Sequence, residues 1–316
     1  MQMHFLSFQI LISPGKTDKQ SVTFYWIIPF LLLMTFSCPV AFGEGYGNYE
    51  FKPNANIVLR AAAVKDSSAT SFIAVGRMWT GVQYKGLITS LSNTDGSLNQ
   101  NFLSNSGATS GRKLIDFAGG GNDNLCNAVT YSYNGYIAAC RSLKSNGYYE
   151  VYLAKFDESG TMDSAFGTGG IVATGIGGDS GKGQAFVRGI TYNPNANGGA
   201  GHNGVVTIVG AVGTIGSLHP YIASFDQQTG SQYGSTVTET GITGTAVAVE
   251  YNSSAGYFYM VSTESAATHH IYLHRYDDDL TASTSPWGTT LNLSASGAGS
   301  ESVSLFFNRS SHCSSQ

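Results

Sequence analysis

Tyr152-Leu153-Ala154-Lys155-Phe156-Asp157-Glu158-Ser159-Gly160-Thr161-Met162-Asp163-Ser164-Ala165-Phe166-Gly167-Thr168-Gly169-Gly170-Ile171-Val172-Ala173-Thr174 opens on five residues ending in an aromatic, crosses a polar turn, and leaves through glycines into a β-branched run. Asp, Ser and Gly supply the turn, and Ile171-Val172 suits a pleated strand. The opening pattern recurs as Leu87-Ile88-Thr89-Ser90-Leu91, Tyr221-Ile222-Ala223-Ser224-Phe225 and Tyr272-Leu273-His274-Arg275-Tyr276. Measured at the last residue, successive copies lie 65, 69 and 51 residues apart. The turn Asn93-Thr94-Asp95-Gly96-Ser97-Leu98-Asn99 is a close relative of 157–163, and Phe102 follows it as Phe166 follows Asp163.

The rest of the unit repeats as well. A short strand is expected after each turn, at Lys113–Phe117, Gly170–Thr174, Ser235–Thr240 and Thr290–Leu293. An alternating strand follows at Asn127–Tyr133, Val187–Tyr192, Thr245–Tyr251 and Ser302–Phe307. A third returns at Tyr136–Cys140, Val205–Ala211 and Tyr257–Thr263, with an earlier copy of the pair at Ile57–Val64 and Phe72–Met78. Four short strands per unit, with no helical period, fit one blade of a β-propeller. A lone four-stranded sheet has two apolar faces, and stacking neighbours radially buries both. Solenoid coils of roughly 20–30 residues are too short for this period. The expected fold is therefore an all-β propeller of four to five blades, incomplete or truncated. Its units run approximately over 44–111, 112–168, 169–234, 235–288 and a partial 289–316. The first unit lacks a strand and the fifth stops near Phe307, so either the two ends complete one another or the product is truncated.

The run 152–174 resembles the hallmark of the bacterial delta-60 repeat family, whose unit passes from an Ala-Arg-Tyr-type strand through an Asp-Gly-Ser-Leu-Asp turn and a Phe-Gly-x-Gly-Gly segment into Val-Thr-Thr. The resemblance covers most of 57–307 and is strongest at 87–102 and 152–174. It weakens at Phe225-Asp226-Gln227-Gln228-Thr229-Gly230 and over 276–288. It implies a β-propeller domain of unknown function and supplies no catalytic residues to carry over.

Composition agrees with such a scaffold. Charged residues are 11% of the chain, against about a quarter in an ordinary soluble domain, so Ser, Thr, Asn and Gly must supply most of the polar surface. Forty glycines against seven prolines indicate tight turns rather than a Pro-rich tail. The net charge of −4, with no basic block, lacks the footprint of a nucleic-acid partner.

The amino terminus differs in character. Lys16 and Lys19 precede an apolar Phe24–Phe36, no charge occurs from Gln20 to Gly43, and the small residues Ala41 and Gly43 bracket Phe42. This is the layout of a secretory signal over residues 1–43, cut after Gly43, with a retained membrane anchor as the alternative. Its length ahead of the apolar run suggests a start downstream of Met1. Cys38 sits in a poor lipidation context between Ser37 and Pro39. The propeller over 44–316 is expected to be periplasmic, cell-surface or secreted, with no membrane contact once the leader is cut. Three cysteines follow the leader: Cys126, Cys140 and Cys313. A two-residue turn at Asn134-Gly135 would set Val129 opposite Cys140 and point Cys126 to the other face. Free thiols are expected at 126 and 140, unless a bulge shifts the register.

Several fragments imitate catalytic motifs. Gly178-Asp179-Ser180-Gly181 matches a serine-protease nucleophile string, but no histidine sits in a matching context. Gly181-Lys182 lacks the leading Gly, the Ser or Thr, and the helix of a phosphate loop. His269, His270 and His274 are the densest metal-like group. On a strand, His270 and His274 stand about 13 Å apart, too far for one ion. They read as polar residues on a blade surface. Asp157 with Asp163, and Asp277-Asp278-Asp279, offer oxygens for Ca²⁺ without a full loop signature. No catalytic, cofactor-binding or metal residue is assigned, and no cofactor is expected. The function expected is an exported, non-enzymatic scaffold binding protein or glycan. A glycan-active hydrolase or lyase on the same fold, and a degenerate surface protein without a ligand, are the alternatives.

Overall fold

The computed structural model describes residues 57–66, 68–103, 111–117, 123–196, 204–265, 270–280 and 290–292. Their regular structure is all strand: β1 (Ile57–Ala63), β2 (Ser71–Trp79), β3 (Tyr84–Ser92), β4 (Arg112–Ile115), β5 (Asn124–Ser132), β6 (Gly135–Leu143), β7 (Tyr149–Phe156), β8 (Ile171–Gly177), β9 (Gln184–Asn193), β10 (Val205–Thr214), β11 (Ser217–Asp226), β12 (Gln232–Thr238), β13 (Gly244–Asn252), β14 (Tyr257–Glu264), β15 (Ile271–Asp277) and β16 (Thr290–Asn292). They form four antiparallel sheets of four strands, β1–β4, β5–β8, β9–β12 and β13–β16, each in sequence order. The described residues form four blades of a β-propeller.

The repeated pentapeptide is the heart of each blade's third strand. Leu87, Tyr152, Tyr221 and Tyr272 pair with Gly76, Cys140, Gly210 and Ser262 of the second strands. Leu91, Phe156, Phe225 and Tyr276 pair with Phe72, Tyr136, Val206 and Phe258. All four copies therefore play one structural role.

The unit frame moves by one strand. The short strand expected to open each unit instead closes the sheet before it: β4 pairs with β3, β8 with β7, β12 with β11 and β16 with β15. The polar turn after the third strand folds the chain back antiparallel, so the next strand pairs with the one it has just left. The first blade is consequently complete, and Thr290–Asn292 belongs to the fourth. Ser302–Phe307 and Cys313 lie outside the described residues.

The first strands lie innermost. β5 packs on β1, β9 on β5 and β13 on β9, and each also meets outer strands of the blade before it. The core lies between sheets. Ile73, Val75 and Ile88 of the first blade meet Cys126, Ala138, Ala154 and Phe156 of the second. Ile137, Val151 and Leu153 meet Val206, Ile208, Tyr221 and Phe225 of the third. Val205, Val209 and Ile222 meet Val249, Phe258, Met260 and Tyr276 of the fourth.

Phe102 and Phe166 latch one blade to the next. Phe102 is buried, and the next amide, of Leu103, donates to the Ser159 carbonyl in the following blade's turn at 2.8 Å. Phe166 is buried too, and the amide of Gly167 donates to the Thr229 carbonyl at 2.9 Å. The latch needs a left-handed residue: Gly167 has φ of 57° and Leu103 has φ of 60°. Glycine takes that conformation freely, whereas leucine holds it here through the burial of its side chain.

Each innermost strand carries a β-bulge at the same place, on Arg60, Asn127, Arg188 and Val247, which the pairing with the second strand skips. The bulge draws the two backbones together. A Cβ on Gly76 would strike the Val58 carbonyl oxygen, and one on Gly210 would strike that of Phe186. In the second blade the equivalent residue is Cys140, and it is disulfide-bonded to Cys126 directly opposite. The expectation of free thiols is thus overturned, for two reasons. The hairpin turns at Tyr133-Asn134 rather than Asn134-Gly135, because Gly135 lies on the strand against the Phe156 carbonyl, where a side chain has no room. The bulge at Asn127 then shifts the parity that had put the two sulfurs on opposite faces.

The bridge closes a loop with a sequence separation of 14, which restricts the unfolded chain. A Cys126→Ala/Cys140→Ala double variant should lose about 3 kcal/mol of unfolding free energy in urea. The native protein should not react with iodoacetamide at either cysteine unless it is first reduced.

Candidate functional site

The arrangement most like a catalytic centre lies in the fourth blade. Ser262 on β14 and His274 on β15 are neighbours, with Oγ 2.7 Å from Nε2, and His274 Nδ1 lies 3.0 Å from the Thr290 hydroxyl. The Tyr276 hydroxyl donates to the Glu239 carboxylate, and the Tyr276 ring stacks 6.3 Å from the imidazole. A serine on an imidazole is the start of a nucleophile, but Nδ1 here meets a hydroxyl rather than an orienting carboxylate. Ser262 and His274 are also both fully buried. Burial drives the imidazole pKa down to about 4, against a smaller upward pull from Glu239, so it is neutral in the folded protein. The group is a hydrogen-bonded core pair. His274 is thus not on a blade surface as expected: it stands at the third position of the repeated pentapeptide, where Thr89, Ala154 and Ala223 are buried in the other blades. His270 is half-buried, 2.8 Å from Glu264, and His269 lies outside the described residues.

The aspartate-rich turns are held by their own backbone. Asp157 Oδ1 accepts from the Ser159 and Thr161 amides and the Ser159 hydroxyl. Asp95 accepts from Ser97 and Asp226 from Gln228 and Thr229 in the same manner. Asp163 Oδ2 meets the Nζ of buried Lys155 at 2.9 Å. Burial pushes the Asp163 carboxyl up, but the Lys155 ammonium and the Ala165 amide outweigh it and hold it below the ordinary value. Among the described residues no three His, Cys, Asp or Glu side chains converge as ligands of one ion. Gly178-Asp179-Ser180-Gly181 is the turn between β8 and β9. Asp179 Oδ1 accepts from the Gly181 and Lys182 amides, Ser180 is exposed, and a strand rather than a helix follows.

The Asp277-Asp278-Asp279 run borders a shallow, open cleft of about 440 Å³, lined also by Tyr233 of β12 and by Ala255, Gly256 and Tyr257 at the β13–β14 turn. The Arg275 guanidinium lies 4.5 Å from the Tyr257 ring centre. Asp278 accepts from Asn193 Nδ2 at 3.2 Å. Its carboxyl pKa is raised by burial, which with the charges of Asp277 and Asp279 outweighs hydrogen bonds from Tyr251 and Asn193. The cleft thus combines two phenols with a row of carboxylates, a surface suited to hydroxyl or ammonium donors.

Sequence reasoning missed a second place, at the opposite end of the inner strands. The bulges leave Arg60 and Arg188 exposed on β1 and β9, while Asn127 between them donates to the Val187 carbonyl at 2.9 Å. Arg77 on β2 and Arg141 on β6 occupy equivalent positions, paired with Val58 and Leu125. Arg77 lies 4.0 Å from the Tyr84 ring centre and 3.2 Å from Asp123. Arg141 lies between Tyr149 at 4.7 Å and Phe186 of the next blade at 4.8 Å. The signal was present: extending the return strand Tyr136–Cys140 by one residue places Arg141 where the first blade has Arg77.

No protein-family model matches the chain, and comparison with the curated proteins gives no match. Among solved structures, two crystal structures of Sqt1 from Chaetomium thermophilum are similar at 13% identity. One match covers 70% of this chain and 43% of that one, with a TM-score of 0.37; the other covers 74% and 49%, with a TM-score of 0.38. The chain spans less than half the length of those proteins.

The buried imidazole should make stability depend on pH. Its folded pKa of about 4 lies below the ordinary 6.5, so the unfolded state binds the extra proton between these values. Stability is then full above pH 6.5 and falls as pH drops toward 4, by about 3 kcal/mol in all. Urea unfolding across this range should show the slope, and His274→Gln should flatten it.

Proposed function

We propose that this chain is an exported, non-enzymatic propeller scaffold of the delta-60 repeat type that binds a protein or glycan at the ends of its blades. The observation that carries the reading is the cleft of Tyr233, Tyr257 and Asp277–Asp279, where aromatic and carboxylate groups border one space beside a buried core. Aromatic faces with a few placed polar groups are what recognition sites use. Catalysis is disfavoured because the Ser262–His274 pair is sealed in the core, the exposed Ser217–His219 pair, 3.4 Å apart, has the Ile242 backbone carbonyl rather than a carboxylate at its Nδ1, and the turn aspartates are occupied by backbone amides. Export is supported by the charge-free run before Glu44 and by the Cys126–Cys140 bridge, which suits an oxidising compartment.

Two measurements test this. Protein recovered from culture fractions should begin at Glu44 by N-terminal sequencing; an intact leader in the cytoplasmic fraction would remove the export part. Labelled protein should bind selectively on a glycan array or to a hexalysine peptide, and Tyr257→Ala and Asp279→Asn should each weaken that binding about tenfold. Binding that neither variant changes, or cleavage of a bound glycan, would overturn the reading.

A further inference from the structure

The inner ends of the first three blades concentrate positive charge. Arg77 and Arg141 stand at equivalent positions on adjacent blades, and Arg188 is thrust outward by the bulge on the third. The only carboxylate bonded to this group among the described residues is Asp123, and it is fully engaged. Its Oδ1 meets Arg77 at 3.2 Å and its Oδ2 accepts from the Tyr149 hydroxyl at 3.1 Å. Arg141 makes no hydrogen bond or ion pair with a described residue; it is held between two aromatic rings, with its Nε buried and unpartnered. Burial lowers its pKa, Tyr149 and Asp123 work against that, and the charges of Arg188 and Arg77 add to the lowering, so Arg141 feels both neighbouring guanidiniums. Like charges gathered on rigid strands with one countercharge are costly unless an anion completes them.

We propose that Arg77, Arg141 and Arg188 form a docking site for an acidic peptide segment of a protein partner, distinct from the cleft of the fourth blade. Guanidinium groups fixed by ring stacking present their N–H edges in a preset orientation, which suits bidentate contact with carboxylates. Two such groups on adjacent blades, with the exposed Arg188 on the third, match a ligand with several carboxylates in a row, rather than a single small anion. A peptide is favoured over an acidic glycan because Tyr84, Tyr149 and Phe186, the rings at this site, already carry a guanidinium. A sugar would need such a face free for stacking; in the fourth-blade cleft Arg275 covers Tyr257, but among the described residues no cation lies over Tyr233.

The test is fluorescence anisotropy of labelled hexaglutamate with the full chain, at low and at physiological salt. Saturable binding that weakens with salt is expected. Arg188→Glu should weaken it about tenfold or more, and Arg141→Gln should weaken it as well. Lys65→Glu makes the same charge change at the opposite end of the blades, beside Glu158, and should have little effect. Arg188 is exposed, so its variant should keep the wild-type melting temperature, which preserves the test even if Arg141→Gln fails to fold. Tyr257→Ala should leave hexaglutamate binding unchanged, which separates this site from the cleft. The proposal is overturned by an absence of binding, by equal losses in Arg188→Glu and Lys65→Glu, or by oligogalacturonate binding more tightly than hexaglutamate at the same residues.

Discussion

Leu153 and Ile137 sit on neighbouring strands of one sheet and find their packing partners, Val206, Ile208 and Phe225, on another. A four-stranded sheet has no interior; every side chain on it points to one face or the other. Side chains of this size each gain about 2 kcal/mol when taken from water, and here they leave water only at the junctions between blades. The same relation joins the first blade to the second and the third to the fourth. Order along the chain, the innermost place of the first strands, and the position of each loop follow from that junction.

The junction also explains the non-repeating details. A polar turn with a following phenylalanine lets Phe102 and Phe166 drop between blades, and a left-handed residue then turns its amide onto the next turn's carbonyl. The bulge on each first strand keeps the inner edge compact, and it sets the Gly76, Cys140, Gly210 and Ser262 positions close against the neighbouring backbone. Glycine answers that approach in two blades. In the second blade the same approach brings two cysteines into a bridge.

Function has to use what the junctions leave over. The blade cores absorb groups that look reactive in isolation, among them Ser262, His274 and Lys155. The polar turns spend their aspartates on backbone amides. Chemistry that can face a partner is therefore left at the blade ends, as carboxylates and phenols beside the fourth blade and as guanidiniums beside the first three.

The pentapeptide at 87–91, 152–156, 221–225 and 272–276 determined the architecture by itself, because an alternation of side chains and a turn are local properties that each copy carries in its own residues. The second strands and most first strands were legible for the same reason. The assignment of the short strand to the preceding sheet, the shifted hairpin at Tyr133-Asn134, the Cys126–Cys140 bridge, the burial of His274 and the gathering of Arg77, Arg141 and Arg188 were decided only by tertiary structure. Each depends on a bulge or a neighbouring blade. One extra residue in a strand reverses which face every later side chain takes, and residues about sixty positions apart meet only when one sheet lies against the next.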